Sequence, residues 1–114
     1  MQIRPRDPSQ LVRVSRALAD RAIAGAGLEE RMEAANALSY VLDPSAIQSL
    51  VRVLRRGSLV EHYAVDGLGR IGGPEAIAAL TAAQYHPDED VRVAAYSTLR
   101  MLRMGAQEPS QPVD

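Results

Sequence analysis

Val60-Glu61-His62-Tyr63-Ala64-Val65-Asp66-Gly67-Leu68-Gly69-Arg70-Ile71-Gly72-Gly73-Pro74-Glu75-Ala76-Ile77-Ala78-Ala79-Leu80 decides the fold, because the chain repeats it. Residues 60–71 superpose on residues 30–41 at an offset of 30 and on residues 91–102 at an offset of 31. Ala34, Ala64 and Ala95 then share one column, Leu38, Leu68 and Leu99 a second, and Val41, Ile71 and Leu102 a third. The columns stand four and three residues apart, which is the apolar stripe of an amphipathic helix. The second half repeats too: Asp43-Pro44-Ser45-Ala46-Ile47-Gln48-Ser49-Leu50 matches Gly73-Pro74-Glu75-Ala76-Ile77-Ala78-Ala79-Leu80, again 30 residues on. Asp or Gly before proline opens a helix, because the cap satisfies free amides and proline at the first position gives up no needed donor. Asp7-Pro8-Ser9-Gln10-Leu11 offers a third copy of that start, so the leading helix is expected to bury Leu11, Val14 and Leu18.

Breaks fall at regular places. Gly57-Ser58-Leu59-Val60-Glu61 has a glycine to end one helix, and Ser58 with Glu61 has the spacing of a capping box for the next. His86-Pro87-Asp88 and Gly25-Ala26-Gly27 occupy the equivalent points one unit later and earlier. Six helices are predicted, at 8–25, 28–42, 44–56, 59–72, 74–85 and 88–104. The fold class is all-α, an α-solenoid of about three antiparallel helix pairs. Residues 1–7 form an N-terminal extension to a repeat domain at 8–104, with units of about 8–27, 28–57, 58–87 and a partial 88–104. Residues 105–114, with two prolines and little apolar content, are expected to be a disordered tail.

Composition fits one domain: 114 residues, 46% hydrophobic and 24% charged. All four aromatic residues are tyrosine, so the core must be built from Leu, Ile, Val, Met and Ala. With no cysteine there are no disulfides, thiolate metal sites or cysteine nucleophiles. No stretch has signal-peptide or membrane-spanning character, which predicts a cytoplasmic protein with no membrane partner. A net charge of -1 gives no overall field to steer a polyanion. All 13 basic residues are arginine, which coding bias explains as readily as a need for bidentate contacts.

The units lack the Thr-Pro-Leu-His turn of ankyrin repeats and the Trp/Gly/Tyr pattern of tetratricopeptide repeats. They resemble the short HEAT-like repeat of phycobilin lyases. The resemblance is carried by Asp88-Glu89-Asp90-Val91-Arg92 with Ala94, Ala95 and Leu99, and by the run from Leu68 to Ile77 with Leu80. It covers about residues 28–104 and implies a HEAT-like superhelix. Its members include lyases, hydroxylases and plain scaffolds, so it leaves function open.

Enzymatic branches of that family can be tested on the residues. The hydroxylase branch places His-Glu pairs where this chain has Met32-Glu33, His62-Tyr63 and Val93-Ala94, too few ligands for a pair of irons. A DNA glycosylase of this class would need groove aromatics, and Trp and Phe are absent. His62 shares a column with Met32 and Val93 and is expected to be a semi-buried packing residue; His86 is expected in a loop. Gly67-Leu68-Gly69-Arg70-Ile71-Gly72 has dinucleotide-fingerprint spacing but ends a helix instead of opening one. No cofactor is expected.

Candidate contacts remain. Arg16, Arg52, Arg55 and Arg56 lie beside the core stripes of the second helices, which in such repeats line the concave face. Arg16 and Arg52 are equivalent in the Asp-Pro-Ser register and suggest a basic row, broken by Ala82. Arg31, Glu61 and Arg92 alternate in sign and could pair between units, and Asn36, Asp66 and Ser97 should face outward. The last helix has no second helix after it, so Met101, Leu102 and Met104 are expected to dock a protein partner or a second copy. The function expected is a non-catalytic interaction or scaffolding module, with an accessory subunit of a bilin lyase or similar modifying enzyme as the alternative. The net charge and the broken arginine row argue against nucleic acid.

Overall fold

A computed structural model of the chain describes residues 8–107; the expected extension at 1–7 and the end of the expected tail, 108–114, lie outside the described residues. Six helices follow one another: α1 (Pro8–Ala24), α2 (Leu28–Ser39), α3 (Ile47–Arg56), α4 (Glu61–Ile71), α5 (Gly73–Ala83) and α6 (Glu89–Gln107). A 3-10 turn, Pro44–Ala46, leads into α3, and there is no strand among the described residues. Every observed end lies within three residues of its prediction. The last helix differs in one respect that matters later: it runs through Gly105 to Gln107, so the first three residues of the expected tail are helical.

The helices form two layers. α2, α4 and α6 lie side by side in one, which we call the outer layer, and α1, α3 and α5 in the other, the inner layer. Between them Leu38, Leu68 and Leu99 meet Leu50 and Leu80, all at most 1% exposed. The alanine column Ala34, Ala64 and Ala95 is buried, and Val41, Ile71 and Leu102 are partly buried against the same core. Small residues let the outer helices approach closely. A Cβ on Gly67 of α4 would stand 3.0 Å from the Ser39 Cα of α2 and 2.9 Å from a Leu50 methyl.

The leading helix required a correction. Leu11 and Leu18 are only partly buried and Val14 is exposed; the buried stripe of α1 is Ser15, Ala19 and Ala22. These align with Ala46, Leu50 and Val53 at an offset of 31, and with Ala76, Leu80 and Ala83 at a further 30. The Asp-Pro-Ser register, an offset of 36, is therefore wrong by five residues. Its cap marks where a helical segment begins, and in the second unit a 3-10 turn intervenes between the cap and the helix. That cap itself forms as expected: Asp43 Oδ1 accepts from the Ser45 amide at 2.9 Å and from Ser45 Oγ at 2.8 Å.

The expected capping box at Ser58 does not form. α4 starts after Val60 with no side-chain cap bond, because Gly57, Ser58 and Leu59 all take positive φ. This left-handed run leaves the Ser58 hydroxyl donating to the Ile23 carbonyl of α1 at 2.9 Å. The alternating Arg31, Glu61, Arg92 column also works differently from expectation. Arg31 donates to the Gly25 carbonyl at 3.2 Å, and Arg92 to the His86 carbonyl at 2.8 Å, each reaching six residues back to close the preceding linker. Arg92 also donates to the Pro87 carbonyl at 3.0 Å. Neither arginine makes an ion pair with Glu61.

Candidate functional site

In the corrected register Arg16 aligns with Ile47, and Arg52 aligns with Arg21. Arg16 and Arg52 are therefore not equivalent positions of the stack. Both members of the true column are engaged: Arg52 donates to Asp20 Oδ1 at 2.8 Å, and Arg21 lies 3.6 Å from Glu30. Arg13, Arg16, Arg55 and Arg56 are exposed and have no partner among the described residues.

Charge is divided between the layers in a way the net value conceals. Inner helices α1, α3 and α5 carry six arginines against two carboxylates, Asp20 and Glu75, whereas outer helices α2, α4 and α6 carry five arginines against seven carboxylates. α3 alone has three arginines and no acid.

Between α3 and α5 the inner layer opens into a cleft of about 130 Å³. Val51 and Leu54 line one side, Ala79, Ala82 and Ala83 the other, with Arg55, Tyr85 and His86 at the rim. Tyr85 is 85% exposed and was not singled out in the sequence. The signal was there, since Tyr85 stands 30 residues after Arg55, in the same column of the repeat. His86 is fixed, although it lies in the expected loop. Its Nε2 donates to the Leu54 carbonyl at 2.9 Å while Nδ1 accepts from the Asp88 amide at 3.0 Å, a pairing that assigns the neutral tautomer with the proton on Nε2.

The three apolar candidates of α6 separate. Met101 is 69% and Met104 60% exposed. Leu102 instead packs partly against the core, and with Asp66, Gly69, Arg70, Thr98 and Met101 it lines an open cleft between α4 and α6. The neighbouring face of α6 is open as well. Tyr96 falls in the column of Ala35 and Val65, each 1% exposed, yet is itself 52% exposed.

Other nominated positions are placed plainly. His62 is exposed, not semi-buried, and its ring lies 4.1 Å from that of Tyr63. Its column mates Met32 and Val93 are exposed too, so apolar character there did not mark a core face. Asn36, Asp66 and Ser97 do face outward. Arg70 is engaged in holding the end of α2: it donates to the Ser39 hydroxyl at 2.9 Å and carbonyl at 3.2 Å, and its guanidinium lies 4.1 Å from the Tyr40 ring centroid. Among the described residues no three His, Asp or Glu side chains converge as a metal site, and no helix is long and apolar enough to cross a membrane.

Residues 60–86 match the family model described as the PBS lyase HEAT-like repeat. No curated protein and no solved structure matches the chain. The matched segment contains α4 and α5, one complete helix pair in the observed register. Residues 60–86 are thus similar to a HEAT-like repeat of the phycobilin lyase type, and the flanking helices repeat that unit's buried columns at 30 and 31 residues, as an α-solenoid does.

Proposed function

We propose that the chain is a non-catalytic protein-interaction module, working in the cytoplasm, that binds a protein partner or a second copy through α6. The open column carries this reading. In α2 and α4 the residues Ala35 and Val65 are buried, while on α6 the equivalent Tyr96 is half exposed, and Met101 and Met104 are exposed further along the same helix. Exposed apolar side chains that include an aromatic suit a protein interface. Leu102, being packed on its own repeat, contributes shape more than contact area.

Affinity capture from cell extract tests it, comparing the wild-type chain with Met101→Asp and Met104→Asp combined. Loss of a specific partner, with an unchanged melting curve, is the expected outcome. Equal recovery by both baits refutes the role of α6. Light scattering covers the second-copy case: concentration-dependent mass that disappears in the same variant assigns the face to self-association.

A second reading, an accessory subunit of a bilin lyase or similar modifying enzyme, is favoured by one observation, the match of residues 60–86 to the phycobilin lyase repeat. Visible absorbance after co-expression with a bilin supports it; a colourless product counts against it.

A further inference from the structure

We infer that the α3–α5 cleft of the inner layer docks an acidic protein segment, with one aliphatic or aromatic side chain seated between the helices and a flanking carboxylate on Arg55. The inference rests on reading the chain as an interaction module, but it uses a different surface from α6.

The argument begins with what each arginine is doing. In the outer layer Arg31, Arg70 and Arg92 donate to carbonyls or hydroxyls of the preceding linker or helix end, so they serve the stack. Inner-layer Arg52 and Arg21 are matched by carboxylates. Arg55 and Arg56 have no partner among the described residues and no acid on their own helix. Their place in the last turn of α3 complements the helix dipole, yet that leaves all their N–H donors available. A guanidinium presents a planar fork that fits a carboxylate bidentately.

Beside Arg55 lies an apolar slot. Leu54, Ala79 and Ala82 wall a cleft of about 130 Å³, room for a single side chain. Tyr85 stands at the rim with most of its ring exposed, an amphipathic anchor of the kind enriched in protein interfaces. An apolar slot bordered by a cation without a partner among the described residues selects an occupant with the inverse pattern, an apolar residue beside an acid.

A nucleic acid fits less well. Polyanion affinity is built from many phosphate contacts, and base stacking needs a series of aromatic platforms. Here one arginine without a partner among the described residues, Arg55, lines the slot, one tyrosine borders it, and the opposite layer carries excess carboxylate that would repel a wrapped strand.

A displayed library of random peptides, selected against the whole protein at physiological salt, tests the inference, with enriched peptides then titrated singly by fluorescence anisotropy. The expected winners carry Leu, Ile or Phe among Asp and Glu. Arg55→Glu should weaken them at least about tenfold, a fully engaged charge pair being worth that or more. Tyr85→Ala should weaken them without changing the charge, and Arg16→Glu, the same charge reversal on α1, should leave them within about twofold if the contact is local and not a general field. All three positions are exposed, so the variants should fold, and a thermal melt checks that they do.

No acidic enrichment, or equal weakening by Arg16→Glu and Arg55→Glu, overturns the proposal. Tighter Arg55-dependent binding of an oligothymidylate than of any peptide transfers the site to nucleic acid and also overturns it. Peptides lost with Met101→Asp but indifferent to Arg55→Glu would sink the cleft while leaving the α6 reading intact. Peptides held at the cleft, with capture unaffected by Met101→Asp and Met104→Asp, would do the reverse.

Discussion

Replacing Ser15 with alanine should stabilise the protein, although the serine lies at the centre of a helix–helix contact. Its side chain is fully buried and its hydroxyl has no hydrogen-bond partner among the described residues. The same column holds Ala46 and Ala76, both 0% exposed, so the site already accepts a methyl group in two of three units. A buried, unsatisfied hydroxyl costs about 1–3 kcal/mol relative to a satisfied or absent one. Alanine adds roughly 0.5 kcal/mol of helix propensity over serine, and the oxygen removed leaves too small a space for a large cavity penalty. The net expectation is a gain of about 1–2 kcal/mol. For a domain of this size that raises the melting temperature by about 5 °C or more. Urea denaturation followed by circular dichroism gives the free energy, and an unchanged slope shows that the unfolded state is the same. A fall in stability, or no change, would refute the reasoning.

Further predictions concern how the units stack. Gly67→Ala drives a methyl group against the Ser39 backbone at 3.0 Å and a Leu50 methyl at 2.9 Å, so it should cost about 1–3 kcal/mol in urea denaturation. Arg92→Ala removes two donors from the carbonyls of the linker between α5 and α6; it should destabilise by about 1 kcal/mol and speed hydrogen exchange at residues 86–88 ahead of the rest.

The leucine and alanine columns of α2, α4 and α6 were legible in the sequence because the buried face of a helix repeats its period, and a repeated period is visible without coordinates. α1 was misread for a definite reason. Asp-Pro-Ser reports where amide groups need a cap, and the distance from cap to buried face changes when a 3-10 turn is inserted, as at Pro44–Ala46. Side-chain charge likewise predicted pairing for Arg31 and Arg92, whereas their nearest acceptors are backbone carbonyls, which carry no letter in a sequence. The candidate contacts divided along the same line. Met101 and Met104 are exposed as expected from the polar stretch that follows them, but Leu102 folds back against the core. The equivalence of Arg16 and Arg52 rested on the wrong register. Arg55 has no partner among the described residues, and its column mate Tyr85 drew notice only when the layers set both at the rim of one cleft.

The central claim, that α6 is a working contact face, is tested most directly by oxidative footprinting of methionine. Met101 and Met104 are 69% and 60% exposed, and Met32, at 37%, stands on α2 as an internal reference. Thioether oxidation follows accessibility. In the purified chain at low concentration Met101 and Met104 should oxidise faster than Met32; in the chain oxidised inside cells and then recovered, they should be protected relative to Met32. An unchanged ratio of Met101 and Met104 to Met32 between the two settings would contradict the account.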